Sequence, residues 1–204
     1  EPHYLPSLEF FCAIRRFDQI KLEVHAHFVK QTYRSRSQIN TASGPHILTI
    51  PISGRKNHMP EFEARIDYHS PWIINHLRTI TSAYKNSPYY EHYFPELEQV
   101  LNHRHQFLLD LNLELLTLCL KWLGWEKEIK TTDYYQSEPE EFDFRDLLKA
   151  KDNYLTRTIY KPVPYQQVFG QAFAGNLSLI DLICCCGPQA SLILQQSDIC
   201  EIDN

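Results

Sequence analysis

Glycine is scarce in this sequence, with six glycines among 204 residues. Neither of the common phosphate-binding patterns, G-x-x-x-x-G-K-[ST] and G-x-G-x-x-G, is present, and the G-x-S-x-G motif of serine hydrolases is also missing. Such sites need glycines so that the backbone can turn sharply or approach a phosphate closely. The sequence therefore excludes the common glycine-cradled nucleotide sites.

Long apolar runs and an excess of basic residues are missing as well. No stretch reaches the roughly 18 consecutive apolar residues of a transmembrane helix, and no signal peptide is visible, so no membrane span is expected. The formal net charge is −5. Because nonspecific nucleic-acid binding needs a basic surface, no nucleic-acid partner is expected, although a small local anion site remains compatible with this charge.

The six cysteines form no C-x-x-C pair. Three are consecutive at positions 184–186 in an apolar helical segment, where neighbouring side chains diverge and cannot share one tetrahedral metal ion. We therefore expect buried, reduced thiols in a cytoplasmic protein. Cys12 could be a nucleophile, but its apolar neighbours favour burial, which makes a thiol unreactive.

The first third of the chain has the patterns of short strands. Residues 19–24 and 61–67 alternate apolar and polar side chains, and residues 47–52 are mostly β-branched or aliphatic. A further strand is predicted over residues 127–132, and residues 8–14 have helical spacing. These patterns predict a mostly parallel sheet built from the first 70 residues.

Helical patterns dominate from Ser70 onward. Ser70 and Pro71 suit the start of a helix that ends at residues 86–88, and a second helix is predicted from residue 95 to 123, with Gly124 as its stop. Further helices are predicted over residues 144–150, 178–186 and 189–195. With an ordinary globular composition, 43% apolar and 22% charged, the chain is predicted to be one α/β domain over residues 1–204, its sheet backed by helices.

The basic run at residues 30–36 is the most informative candidate for a ligand site. Lys30, Arg34 and Arg36 alternate there with Tyr33 and other hydrogen-bonding side chains. Guanidinium groups bind phosphate or carboxylate with two hydrogen bonds, whereas a solvated basic turn is the alternative interpretation. The position of the run between two predicted strands favours an anionic ligand.

His76 lies at the border of an apolar helical stripe and could act as a general acid or base. The alternative is a structural histidine with one ring nitrogen bonded to a backbone carbonyl, which the pattern favours about two to one.

No metal site is expected. His25 and His27 could share a face only if the strand extends that far, and His103 and His105 should diverge on a helix. Asp181 lies among apolar residues, and the Ser178-x-x-Asp181 spacing matches a capping box, which needs no function.

Several segments, taken in order, resemble the WbqC-like protein family. They are Pro2-His3-Tyr4-Leu5-Pro6, Phe10-Phe11, residues 30–39, Gly44-Pro45, residues 48–51, Trp72, residues 76–80, Ala83-Tyr84, residues 165–169 and residues 177–182. Two positions depart from the usual pattern: Glu1 stands where many members have Gln, and Ser35 where many have Asn.

The resemblance implies a bacterial cytoplasmic protein associated with O-antigen and other surface-polysaccharide biosynthesis, with acyl or aminoacyl transfer to an amino sugar as one suggested activity. The first hypothesis is such a transferase, with His76 as acid or base and with Lys30, Tyr33, Arg34, Arg36 and Tyr4 binding an anionic nucleotide sugar or acyl donor. The second is a noncatalytic binding protein for an anionic metabolite. The third is an interaction protein that uses the aromatic segment 89–94 as a contact patch. The pattern of this segment favours the alternative, a loop that packs its rings onto the core.

Overall fold

A computed structural model describes residues 1–54, 59–138, 142–145, 147–170 and 172–199. The α-helices in these ranges are α1 (Leu8–Ile14), α2 (Trp72–Tyr84), α3 (Tyr90–Asn102), α4 (Leu108–Leu123), α5 (Leu179–Cys186) and α6 (Ala190–Ser197). The strands are β1 (Gln19–Leu22), β2 (Arg36–Thr41), β3 (Gly44–Thr49), β4 (Ile52–Ser53), β5 (Arg65–Ile66) and β6 (Glu128–Thr131). Short 3-10 helices occupy Glu61–Glu63, Tyr154–Thr156 and Gly187–Gln189.

The strands pair as three two-stranded sheets within the described residues. β1 and β6 are parallel, with Gln19 opposite Glu128, whereas the β2–β3 and β4–β5 pairs are antiparallel. The prediction of a fold with both helices and strands is confirmed. The prediction of a mostly parallel sheet was overstated, because the sheets are small and two of the three strand pairs are antiparallel. Ala42 and Ser43 alone separate β2 from β3, and so short a connection can join only antiparallel strands.

The helix predicted from residue 95 to 123 is two helices in the structure. Pro95 lies inside α3 rather than at a helix start, and the chain leaves helical geometry after Asn102. Arg104 adopts a left-handed backbone conformation with φ of 55°, which interrupts the helical hydrogen bonding. Gly124 ends α4 with φ of 67°, as its position predicted.

Several local predictions are confirmed and two are wrong. α1 matches residues 8–14, and the Ser178 side chain caps α5 by accepting a hydrogen bond from the backbone N–H of Ile180. The aromatic segment 89–94 lies at the start of α3 rather than in a loop, and the helix predicted over 144–150 is missing from the described part of that range.

The core forms around α1, every residue of which is buried. The backbone N–H of Leu8 donates to the carbonyl of Leu177 and that of Leu179 to the carbonyl of Pro6, so the N-terminal segment is fixed to the start of α5. α4 buries Leu111, Leu115 and Leu118. None of the described helices has the length and apolar character needed to cross a lipid bilayer.

Candidate functional site

The basic run is a chain of turns that ends at the start of β2. The backbone N–H of Tyr4 donates to the carbonyl of Tyr33 at 2.8 Å, and that of Ile50 donates to the carbonyl of Ser35 at 2.9 Å. Lys30 is exposed, Tyr33 and Arg36 are half-buried, and Arg34 is buried. The run is therefore anchored between the N-terminal segment and the end of β3, with Arg34 directed into the protein.

Arg34 is held by two carboxylates. Its Nε donates to Glu61 Oε2 at 2.5 Å, and its Nη2 lies 2.6 Å from Glu1 Oε2. The Asn112 side chain on α4 donates to the Arg34 carbonyl at 2.9 Å. The positive charge of Arg34 is thus neutralised by carboxylates of the protein itself. The sequence had suggested that this charge was free to bind an anionic ligand.

Glu61 is the unusual carboxylate of this pair. It is 1% exposed, and burial raises its pKa to about 7, an effect that the neighbouring Arg34 charge only partly opposes. Its Oε1 has no hydrogen-bond partner among the described residues. A buried carboxyl group that titrates near neutral pH is suited to accept or donate a proton.

His3 lies beside these groups. Its ring contacts those of Phe10 and Tyr33 in tilted arrangements, with centroid distances of 4.7 and 4.9 Å. Burial lowers the pKa of His3, and neither ring nitrogen has a hydrogen-bond partner in the described part of the chain. Nε2 lies 3.6 Å from Glu1 Oε1, beyond normal hydrogen-bond range.

We call Glu1, His3, Arg34, Glu61 and Asn112 the Arg34 cluster. Asn112 Oδ1 also has no partner among the residues that the structure describes, as for Glu61 Oε1 and both His3 nitrogens. Because buried polar atoms are normally paired and each unpaired one costs about 1–3 kcal/mol, a concentration of them is a property of ligand and water sites. The burial of Glu1 pushes its pKa upward, but His3 and Arg34 outweigh this effect and hold the pKa below the ordinary value.

Tyr4 and His76 form a separate, satisfied pair. The Tyr4 hydroxyl lies 2.9 Å from His76 Nδ1. Burial lowers the pKa of His76 to about 4, an effect that the Thr49 backbone beside the ring partly opposes, so the imidazole is neutral at pH 7. These contacts match the structural alternative for His76, and its catalytic role stays a prediction.

The other predicted ligand residues lie around these two groups. Arg36 is paired with Thr49 across the β2–β3 hairpin, and its Nε is buried with no hydrogen-bond partner in the described ranges. Burial raises the pKa of Tyr33 to about 12, helped by the negative charge of Glu9, so the phenol stays protonated. Two surface cavities, of about 560 and 270 Å³, lie elsewhere and contain none of the predicted site residues.

The chain matches one known protein family over most of its length. The family model described as the WbqC-like protein family matches residues 1–156, which include the whole Arg34 cluster. The chain belongs to the WbqC-like protein family. No curated protein and no solved structure matches it.

For this WbqC-like chain, sequence reasoning found Arg34 but missed the other members of the cluster. The alternation over residues 61–67 puts Phe62 on the same side as Ala64 and Ile66. The structure instead has a 3-10 helix at Glu61–Glu63 that leaves Phe62 37% exposed and buries Glu61. Side chains on one face recur every two residues in a strand but every three residues in a 3-10 helix. A change from strand to 3-10 helix therefore exchanges which of two neighbouring side chains is buried. The available signal was Pro60 immediately before Glu61, because proline suits the start of a helical turn as well as the start of a strand.

Proposed function

We propose that this chain is a cytoplasmic transferase of bacterial surface-polysaccharide biosynthesis, which moves an acyl or aminoacyl group onto the amino group of a sugar. Two findings support the proposal: the family membership over residues 1–156 and the unpaired buried atoms of the Arg34 cluster. Unpaired acceptors on Glu61 and Asn112 match the N–H and O–H donors of an amino sugar.

Glu61 has the properties of a general base for this reaction. In the transfer, the sugar nitrogen forms a bond to the acyl carbon, and the leaving group departs with the electron pair of the bond that breaks. The nitrogen must also lose a proton. Glu61 Oε1, unpaired among the described residues and with a carboxyl pKa of about 7, is an acceptor for that proton at neutral pH.

The charges around the cluster suggest how an anionic donor is held. Glu1 Oε2 lies 2.6 Å from Arg34 Nη2. Of the two carboxylates that contact Arg34, Glu1 is the more exposed. A phosphate or carboxylate of the donor would replace Glu1 on the guanidinium, since both groups accept hydrogen bonds from the same fork. Lys30, Arg36, Tyr33 and Tyr4 remain the proposed surrounding contacts.

His76 is the competing assignment for the acid or base. Its Nδ1 is engaged by the Tyr4 hydroxyl, and its lowered pKa makes it a weak base at pH 7. We therefore assign the proton transfer to Glu61 and regard His76 as the support of Tyr4.

A noncatalytic binding protein for an anionic metabolite is the second candidate. The state of His76 favours this candidate. His76 is the acid or base that the sequence suggested, but it contacts the Tyr4 hydroxyl and its pKa is lowered to about 4. The third candidate, an interaction protein, gains no support: Tyr90 stacks on Phe94 at 4.6 Å and Tyr93 is buried, so these rings pack within the protein.

The test is a thermal-shift screen with nucleotide sugars, acyl-CoA, aminoacyl-adenylate analogues and inorganic phosphate, followed by mass spectrometry of any amide product. A ligand present at a hundred times its dissociation constant should add about 2.7 kcal/mol to the free energy of unfolding. We expect Glu61→Gln to keep ligand binding within a few-fold and to lower turnover by about 10²–10⁴-fold, since the amide cannot accept the proton.

Glu63→Gln is the matched control, because Glu63 is an exposed glutamate of the same 3-10 helix. Full turnover by Glu61→Gln together with loss of turnover in His76→Gln would return the catalytic role to His76. Ligand binding that Arg36→Ala leaves unchanged, with no product formed by the parent, would contradict both the site and the reaction.

A further inference from the structure

The segment between α3 and α4 brings two histidines together with a glutamate. His103 follows the last residue of α3, and Arg104 next to it has φ of 55°, so the chain turns sharply before His105. Side chains two residues apart on a continuous helix point in different directions. The interruption at Arg104 is the reason that His103 and His105 lie on the same side. The expectation that they diverge was wrong because it rested on an unbroken helix.

Glu114 on α4 lies against both imidazoles. His103 Nδ1 is 2.9 Å from Glu114 Oε1, and His105 Nε2 contacts Oε2 of the same carboxylate. One ligand atom from each of the three residues lies within 4.8 Å of the other two. Tetrahedral zinc, with ligand distances of about 2.0–2.2 Å, needs its ligand atoms about 3.3 Å apart, so small side-chain rotations are sufficient.

The backbone of this segment is held in place by its neighbours. The Tyr68 hydroxyl donates to the His105 carbonyl at 2.7 Å. The N–H of Ile66 donates to the carbonyl of Gln106 at 3.0 Å, and the N–H of Leu108 to that of Ala64 at 2.8 Å. Preorganisation of this kind lowers the entropic cost of bringing ligands to a metal ion.

The donor set selects a class of metal ion. Two imidazole nitrogens and one carboxylate suit zinc and related transition metals, whereas calcium and magnesium prefer oxygen ligands alone. The side chains are 42%, 24% and 32% exposed for His103, His105 and Glu114, so an ion can reach them from solvent. Three protein ligands leave a fourth tetrahedral position open for water or for a further ligand.

We propose that His103, His105 and Glu114 form a binding site for a divalent transition metal ion, with zinc as the preferred occupant. The site links the end of α3 to α4, and it is independent of the Arg34 cluster and of the proposed transferase activity. It keeps an open coordination position, as zinc sites that bind water or an exogenous ligand do.

The test uses the full chain after removal of metal with a chelator. Isothermal titration with Zn²⁺ should show one ion bound per chain, and Co²⁺ should give the intense visible absorption of tetrahedral coordination. We expect His105→Ala and Glu114→Gln each to weaken Zn²⁺ binding by about 100-fold or more, since even loss of a residue that only orients a ligand costs about 10–100-fold.

His92→Ala is the control, because His92 is an exposed histidine of α3 outside the cluster. This variant should bind Zn²⁺ and Co²⁺ as the parent does. Absence of binding by the parent, equal affinity in Glu114→Gln, or a Co²⁺ spectrum with thiolate charge-transfer bands would each overturn the assignment. Because the three side chains are partly exposed, the variants should fold, and their thermal unfolding in chelator verifies this.

Discussion

Two buried carboxylates, Asp181 and Glu61, show opposite arrangements. Asp181 is fully buried on α5 and accepts hydrogen bonds from Tyr84 at 2.9 Å, Tyr165 at 2.6 Å and Gln167 at 2.9 Å. Glu61 is equally inaccessible, but Arg34 bonds to Oε2 alone, and Oε1 has no partner among the described residues.

The two carboxylates differ in how many of their oxygens are paired, not in how deeply they are buried. A carboxylate with a full set of donors stabilises the fold and leaves no atom for a ligand. A carboxylate with an unpaired oxygen carries a desolvation cost that a ligand can relieve. Burial by itself therefore did not identify the candidate site, whereas the pairing of each buried atom did.

The largest effect is expected from removal of the Asp181 carboxylate. Asp181→Ala leaves the two tyrosine hydroxyls and the Gln167 amide without their acceptor, so we expect a loss of about 3–5 kcal/mol in the free energy of unfolding. Chemical denaturation measures this loss. Asp133→Ala, at an exposed aspartate, is the control, and a loss below about 1 kcal/mol for Asp181→Ala would remove the contrast between the two carboxylates.

An effect of about 3 kcal/mol is expected from the titration of Glu61. Its pKa is raised from 4.5 to about 7, so between these values the unfolded state loses a proton that the folded state keeps. The contribution of Glu61 to stability is therefore fully present below pH 4.5 and is lost as the pH rises through about 7. Glu61→Gln should remove this pH dependence, and denaturation at several pH values measures it.

His76 has the opposite sign in an overlapping range. Its pKa is lowered from 6.5 to about 4, so its contribution is present above pH 6.5 and is lost as the pH falls toward 4. Because the Glu61 contribution opposes that of His76, Glu61→Gln should make the loss of stability on acidification steeper than in the parent, and Glu63→Gln should not. Identical profiles for Glu61→Gln and the parent would mean that Glu61 titrates as an ordinary glutamate.

The smallest effect concerns a single donor to Asp181. Tyr165→Phe removes one hydrogen bond to a charged acceptor and leaves the Tyr84 and Gln167 bonds in place, so we expect a loss of about 1.5–3 kcal/mol. Tyr135→Phe is the control, because Tyr135 is 55% exposed. A Tyr165→Phe protein as stable as the parent would show that this bond adds nothing to the Asp181 network.

The candidate site was predicted from sequence in part. Arg34 was identified because a basic run between two predicted strands is a local pattern. Membership of the WbqC-like family confirms the resemblance, and the family model covers the part of it within residues 1–156. No local pattern indicated the other members of the cluster, which are Glu1, His3, Glu61 and Asn112. The residues next to each of them in the sequence do not show that the four lie close together in the folded chain. Glu61 reaches Arg34 from 27 positions away and Asn112 from 78.

The sequence by itself determined the elements whose causes lie within a few residues. The helical spacing of α1, the Ser178 cap of α5 and the Gly124 stop of α4 all act through adjacent turns of the backbone. Only the tertiary structure decided the rest. The partner of β1 is β6, more than a hundred residues later, and the interruption at Arg104 that assembles His103, His105 and Glu114 lies inside a stretch with continuous helical periodicity. Strand partners and side-chain clusters depend on long-range packing, which local periodicity does not encode.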